Sequence, residues 1–388
     1  MKRYLIVLIL VISALGIYAQ EDSGIKNITL NGYVKYMNTI QFMEFDEGWA
    51  TESMFHNRLN FRWYMSDAFT TGVEMRNRFI YGDYVESVFW DYEEYVAEDN
   101  GYLNELTQTH SGASYILTST VDRLWMNYHT SKLDITLGRQ RINWSQSFVW
   151  NPNDIFNTYS FFDFDYEEKP GSDALRVQYY PGFTSTAELA VKVDAEERIT
   201  AAGLYRFNQW GYDFQFLGGI LNDEDYVAGT GWSGNIKDAG FGGEMTYIHP
   251  EENFSDTTGK LLASVNLNYM FSNSLYIQGE LFYNEFADQM NFGGFNTFMR
   301  QELSVKTLSF SKWSWFLQAS YPIHPLLDGT LALMYYPDLD GYFVNPSLKY
   351  SLSDNIQLSA YGQIFTGEFM QSMEETINFL FFRFKWSF

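Results

Sequence analysis

Eight of the thirteen arginines of this chain fall between positions 58 and 176: Arg58, Arg62, Arg76, Arg78, Arg123, Arg139, Arg141 and Arg176. A guanidinium stays charged at any physiological pH and presents a rigid fork of donors, so it binds carboxylates and other anions in two-point fashion. The spacing matters as much as the residue type. Arg76 and Arg78, Arg139 and Arg141, and Arg58 and Arg62 are two or four positions apart, which on an extended strand places each pair on one face. A row of such groups along a wall could guide an anionic solute, as rows of Arg and Lys do in pores. It could equally pair with the protein's own acids and hold a loop. Both readings stay open at this point.

The acids for the second reading are at hand. Between Ile142 and Asp173 the chain carries Asp154, Asp163, Asp165, Glu167 and Glu168 together with Trp144, Trp150, Phe161, Phe162 and Phe164. A solvated loop of that length would forfeit about 1.5–3 kcal/mol for every large apolar side chain left in water. Ile142–Asp173 is therefore expected to fold into an interior and narrow it, with Trp144, Trp150, Asn151, Asp154, Asp163, Asp165, Glu167 and Glu168 forming a constriction. Other acids sit in loop-like runs, Glu86 to Asp99, Asp223 to Asp225 and Glu251-Glu252. Such runs read as solvated loops, with cation binding or packing against lipopolysaccharide-bridging ions as the alternative.

Enzyme chemistry finds little support. There are five histidines, His56, His110, His129, His249 and His324. His129 and Ser131 share a face, as any two residues spaced by two on a strand do. There is no cysteine, no glycine-rich phosphate loop and no Cys/His metal pattern, so neither a cofactor nor a metal nor catalysis is expected. The net charge of -23 makes nucleic acid a poor partner.

The elements that must carry these groups are strands. Aromatic residues make up 19% of the chain while mean hydropathy is -0.25, and after residue 20 no apolar run is long enough for a spanning helix. That combination fits strands alternating between lipid and water, with aromatic girdles at both interfaces. The last strand is the clearest: Leu380, Phe382, Phe384, Trp386 and Phe388 alternate with Arg383, Lys385 and Ser387. Leu59, Phe61 and Trp63 likewise oppose Arg58, Asn60 and Arg62, and Val73, Met75 and Phe79 oppose Glu74, Arg76 and Arg78. An Arg facing lipid near the midplane would cost about 2–4 kcal/mol, so these arginines point inward. Leu133, Ile135 and Leu137 form a lipid face that would turn Arg139 and Arg141 outward, unless Gly138 flips the register or the arginines lie beyond the hydrocarbon.

Eighteen segments qualify as membrane strands. They are 27–42, 54–65, 70–81, 121–130, 133–141, 174–180, 184–193, 199–207, 211–221, 240–248, 261–271, 275–285, 298–310, 313–323, 329–336, 342–352, 356–366 and 376–388. The weakest lie around 240–271 and 298–310, so sixteen strands is the alternative to eighteen. Tight turns alternate with long connections, notably 82–120 and 142–173, as in barrels with short periplasmic turns and long outer loops. The fold class expected is all-β: a transmembrane antiparallel β-barrel of 16–18 strands, one domain over 20–388. Residues 1–19 read as a cleaved signal peptide, with Lys2 and Arg3, an apolar stretch to Ile17, and Ala19 before Gln20.

Two resemblances add to this reading. The terminal Phe388 resembles the C-terminal signature of bacterial outer-membrane barrels, which implies recognition by the barrel assembly machinery. The segment containing Gly138, Arg139, Gln140, Trp144, Asn151, Pro152 and Asp154 resembles a family of porin-like outer-membrane barrels related to alginate-export proteins and to uncharacterised Bacteroidetes and proteobacterial outer-membrane proteins. In these a strand ending in Gly-Arg-Gln is followed by a Trp and an Asn-Pro loop; elsewhere the likeness is that of a generic barrel. The resemblance implies a Gram-negative outer membrane, lipid and lipopolysaccharide as surroundings, and passive passage of a small polar or anionic solute. A structural or adhesive barrel that binds through its long loops is the other class. The oligomeric state is left open.

Overall fold

The computed structural model describes residues 27–45, 48–88, 92–289, 303–370 and 373–388; the signal peptide expected at 1–19 lies outside them. Nineteen strands follow one another: β1 (Ile28–Phe42), β2 (Ala50–Tyr64), β3 (Phe69–Gly82), β4 (Thr107–Gly112), β5 (Tyr115–His129), β6 (Leu133–Gln140), β7 (Ser172–Gly182), β8 (Ser185–Val193), β9 (Ile199–Gln209) and β10 (Tyr212–Leu221). They continue with β11 (Asp225–Ile236), β12 (Ala239–Pro250), β13 (Lys260–Met270), β14 (Tyr276–Asn284), β15 (Trp313–His324), β16 (Leu327–Tyr336), β17 (Gly341–Ser353), β18 (Ile356–Met370) and β19 (Met373–Ser387). Consecutive strands pair antiparallel except that β3 pairs with β5, and β1 pairs with β19 over Tyr33–Ser387 to Phe42–Asn378. Gly32 and Phe388 exchange both backbone hydrogen bonds at 3.0 Å, completing the closure. The result is a closed barrel of eighteen strands. The nineteenth, β4, is short and pairs only with β5, above the end of β6.

Alternation sets the two faces. On β19, Phe382 and Phe384 are exposed outward while Phe381 and Arg383 are buried inward. On β15, Trp313, Trp315 and Leu317 are exposed while Ser314 and Phe316 are buried. An apolar outside and a mixed inside are what a spanning barrel requires, since closure leaves no backbone group unpaired in lipid. The start of β1 and the end of β19 lie at one rim, the periplasmic one, where the turns are two to five residues long, and the long connections lie at the other.

Two differences from the sequence expectation cancel in the strand count. Asp225–Ile236 is a strand that alternation did not mark, because its lumen face carries Gly229 and Gly231 where side chains would announce it. A Cβ on Gly229 would sit 2.5 Å from Asn153 Oδ1, and one on Gly231 2.9 Å from Gln146 Oε1, so an incoming loop needs that space. Conversely, 298–310 is not a membrane strand in its described part. Residues 290–302 lie outside the description, and from 303 on the chain makes a 3-10 turn at Val305–Thr307, capped by Ser304 and Thr307. Its apolar residues turn to the barrel interior: Val305 is 1% exposed, and Leu308 and Phe310 pack on the same core. Within the long connection after β3 the structure also has a short helix, Tyr92–Ala97, too brief to show a helical period in the sequence.

Candidate functional site

The connection after β6, residues 141–171, runs through the barrel interior and touches the wall on most sides. Ile142, Trp144, Val149, Trp150, Ile155 and Phe156 are each no more than 4% exposed. Its first half is held by carboxylates of the wall that accept backbone N–H groups. Glu244 on β12 accepts from Gln146, from Ser147 at 2.8 Å and from Asn153 at 3.0 Å. Glu280 on β14 accepts from Phe148, Val149 and Trp150 at 2.8, 3.0 and 2.8 Å. Glu188 on β8 accepts the Trp144 indole N–H at 2.6 Å, and Gln215 on β10 donates to the Trp144 carbonyl at 2.6 Å. A buried irregular segment must place its amides somewhere, and here the barrel wall receives them.

The second half is held by cations and rings. Lys35 on β1 donates to both the carbonyl and the carboxylate of Asp165 (2.7 and 2.8 Å), and His56 on β2 lies 3.2 Å from the other carboxylate oxygen. Arg383 and Lys385 on β19 bind Glu167 at 3.1 and 2.7 Å. Tyr33 donates to Glu168 at 3.1 Å. Phe162 packs edge-on against Phe343 and Phe365, and Phe164 against Phe381. Trp150 stacks on Phe282 at 5.5 Å.

Charges respond accordingly. Burial alone would raise the Asp165 carboxyl, but the hydrogen bond from His56 and the charge of Lys35 outweigh it and hold it well below the usual carboxylate range. Glu167 behaves likewise: burial pushes up, Lys385 pulls down further, and the net shift is downward. Asp154 goes the other way. It is 1% exposed, with the backbone N–H groups of Trp144 and Asn157 aimed at its carboxylate. Burial, reinforced by Glu244 and only partly opposed by Arg141, raises it well above the ordinary value.

The arginines occupy varied positions. Arg58 is completely buried and is gripped by Asp122, by Glu74 at 2.7 Å and, at 3.6 Å, by Glu168. Arg62 is half exposed, 3.8 Å from Glu74. Arg76 lies 3.6 Å from Asp122 and over the Tyr166 ring at 4.0 Å. Arg123 points inward beside Asp122 because β5 has a bulge opposite Glu74–Met75, and it donates to the carbonyls of Glu168 and Lys169. Arg139 is held at the outer end of β6 by Asp99 and Asp173 (2.7 and 2.8 Å). Gly138 before it has φ +112°, where a Cβ would lie 2.2 Å from the Leu124 carbonyl oxygen. Arg141 has left the strand and lies 5.8 Å from the Tyr159 ring. Arg176 forks onto Glu188 at 2.7 and 2.9 Å. Arg78 differs: it donates to the Val96 carbonyl at 2.6 Å, and no carboxylate of the described residues lies within ion-pair distance.

The sequence reading passed over half of this arrangement. Glu188, Glu244 and Glu280 are single acids in apolar strands, and Lys35, Arg383 and Lys385 belong to strands whose apolar side drew the attention. A lone charge on the lumen parity of a strand was the available signal. Above the loop, toward the outer rim, lies a cavity of about 800 Å³ that Arg76, Arg78, Tyr95, Asp163 and Tyr166 help to line.

This is the architecture of a transmembrane barrel of the outer-membrane type, with its lumen crossed by the connection between β6 and β7. Solved structures share it. OccAB1 of Acinetobacter baumannii superposes with a TM-score of 0.57 at 9% identity, covering 95% of this chain and 99% of that one. OccK11 (OpdR) of Pseudomonas aeruginosa gives 0.56 at 9% identity with the same coverage. The outer membrane protein opdK of that organism gives 0.56 at 9% identity, covering 93% and 98%. At such identity the likeness is one of fold. No family model and no curated protein matches the chain.

Proposed function

We propose that this chain is a substrate-selective porin of a Gram-negative outer membrane, passing a small polar solute passively, with residues 141–171 as its constriction. The observation that carries the reading is the clamping of that loop across the lumen by Glu244 and Glu280 on one side and by Lys35, Arg383 and Lys385 on the other. A loop built only to bind something outside would have no use for buried carboxylates on the opposite wall. The resemblance of the Gly138–Asp154 segment to porin-like barrels related to alginate-export proteins supports the same reading, since that segment opens the clamped loop.

The arginine sector serves first to hold the constriction, because most of its members are matched by carboxylates or loop carbonyls. Arg78 keeps the anionic solute in play, as a guanidinium at the cavity wall without a carboxylate partner among the described residues. Planar-bilayer recording decides between the two roles. Weak ion selectivity that does not move in Arg58→Gln favours the holding role. Anion selectivity abolished by Arg78→Gln assigns the anion path. The absence of any conductance would overturn the porin reading altogether. Phe388, at the closing seam, is the residue that the assembly machinery would read.

A further inference from the structure

The outward face of most strands carries apolar side chains, but across β2, β3 and β5 a polar seam interrupts it, its last hydrogen bond reaching a backbone carbonyl of β1. Asn57 lies between Phe55 and Leu59 on that face, Asn77 between Met75 and Phe79, and Ser119 between Leu117 and Val121. Strand register puts Asn57 opposite Asn77 and Asn77 opposite Ser119. Ser119 Oγ donates to Asn77 Oδ1 at 2.8 Å, Asn77 Nδ2 donates to Asn57 Oδ1 at 3.4 Å, and Asn57 Nδ2 donates to the Tyr33 carbonyl at 3.2 Å. A carboxamide carries two N–H groups, and the bonds above use one from each asparagine; Asn77 is 7% exposed, so Asn57 is the more accessible of the two.

The depth makes this unusual. Asn57 is six residues from Trp63, which is exposed toward the periplasmic rim. At roughly 3.3 Å per residue and a tilt of about 40° that is about 15 Å along the membrane normal, near the middle of an apolar band about 25 Å tall. Hydrocarbon offers no acceptor to the remaining amide protons, and polar side chains at that depth serve as contacts between proteins.

We propose that the β1–β2–β3–β5 wall is the surface on which a second copy of this chain docks, the two seams facing each other across a two-fold axis along the membrane normal. Every copy inserted in the same sense carries its seam at the same depth, and an amide both donates and accepts, so the seam complements itself. A different protein would need polar groups at that depth independently. The same hairpin also ends outside the membrane in an exposed aromatic cluster. Phe42, Phe45 and Trp49 stack within 5.2–6.0 Å of one another, with Phe45 77% and Trp49 46% exposed. The contact surface thus continues above the bilayer.

The chain has no cysteine, so single thiols report contacts cleanly. Leu59→Cys, beside the seam, and Leu189→Cys, on the outward face of β8 and 64% exposed, are each expressed and oxidised mildly in intact outer membranes. The expected result is a disulfide-linked species of twice the chain mass for Leu59→Cys, at least tenfold above Leu189→Cys. Adding Asn57→Leu and Asn77→Leu should lower it tenfold while heat-modifiable migration persists. If the double change prevents folding, the comparison of the two single thiols still decides. Equal cross-linking at both positions, or an adduct whose mass includes another protein, overturns the proposal.

Discussion

Glu280 holds Trp150 by its backbone, the carboxylate accepting the Trp150 N–H at 2.8 Å, and Phe282, two residues along the same strand, stacks on the Trp150 indole at 11°. One short stretch of β14 therefore fixes both the backbone and the ring of the loop that crosses the lumen. Because Glu280 also takes the N–H groups of Phe148 and Val149 and the Ser264 hydroxyl, its removal leaves three backbone donors and one hydroxyl without this partner.

Glu280→Leu should consequently loosen the loop without unfolding the barrel, whose backbone ladder does not involve that side chain. Each buried donor left unpaired costs about 1–3 kcal/mol. Proteolysis near Gln146–Trp150 should appear in the variant, and channel noise should rise, while heat-modifiable migration stays. Glu280→Gln, which retains an acceptor oxygen, should fall between the two. A variant as resistant as the parent would remove the carboxylate clamp from the account.

The clamp at Asp165 should survive mild acid. Its carboxyl is held below the ordinary range by His56 and Lys35, so its contribution is present above the unfolded value of about 3.9 and is lost only as pH falls from there toward the depressed folded value. Protease resistance of the segment around Asp165 should therefore stay constant from pH 7 to about 5. Asp165→Asn should weaken the loop across that whole window. A loop released between pH 7 and 5 in the unmodified chain would contradict the pairing.

Asp154 predicts the reverse slope. Burial raises this carboxyl well above its ordinary value, so the folded state favours the proton, and stability declines as pH rises from the unfolded value through the folded one. Asp154→Asn removes the titration. The apparent unfolding temperature, read by heat-modifiable migration between pH 6 and 9, should fall less with pH in the variant than in the parent. Parallel curves would mean that the carboxyl is not strained by burial.

Deleting Phe388 removes a residue that exchanges both backbone hydrogen bonds with Gly32 across the seam. Outer-membrane yield should drop severalfold, with unfolded chain accumulating before insertion. Undiminished yield would leave Phe388 with a closing role and none in assembly.

The barrel was legible where lipid demands it, since an outward strand face must be apolar whatever the lumen holds. Leu380 to Phe388 and Leu59 to Trp63 show this plainly. β11 escaped because Gly229 and Gly231 make room for the loop, erasing the inward half of the alternation. Residues 303–310 misled because Val305, Leu308 and Phe310 bury themselves in the lumen rather than against lipid. The loop's own aromatics signalled an interior. Its partners did not, for a single Glu244 or Glu280 on a strand says nothing about which amides it will meet. That depends on where a chain segment some hundred positions earlier is led by the closure of the barrel. The arginines were visible as a group, but their partners are split between β3, β5, β7, β8 and two loops, beyond any local pattern.

The central claim is that residues 141–171 form the constriction of an open pore, and single-channel conductance before and after shortening that loop tests it most directly. Replacing residues 145–156 by a short Gly-Ser linker, in protein that still migrates as a folded barrel, should raise conductance severalfold and flatten its dependence on solute size. Unchanged conductance would contradict the account, because current would then be shown to pass without meeting the loop.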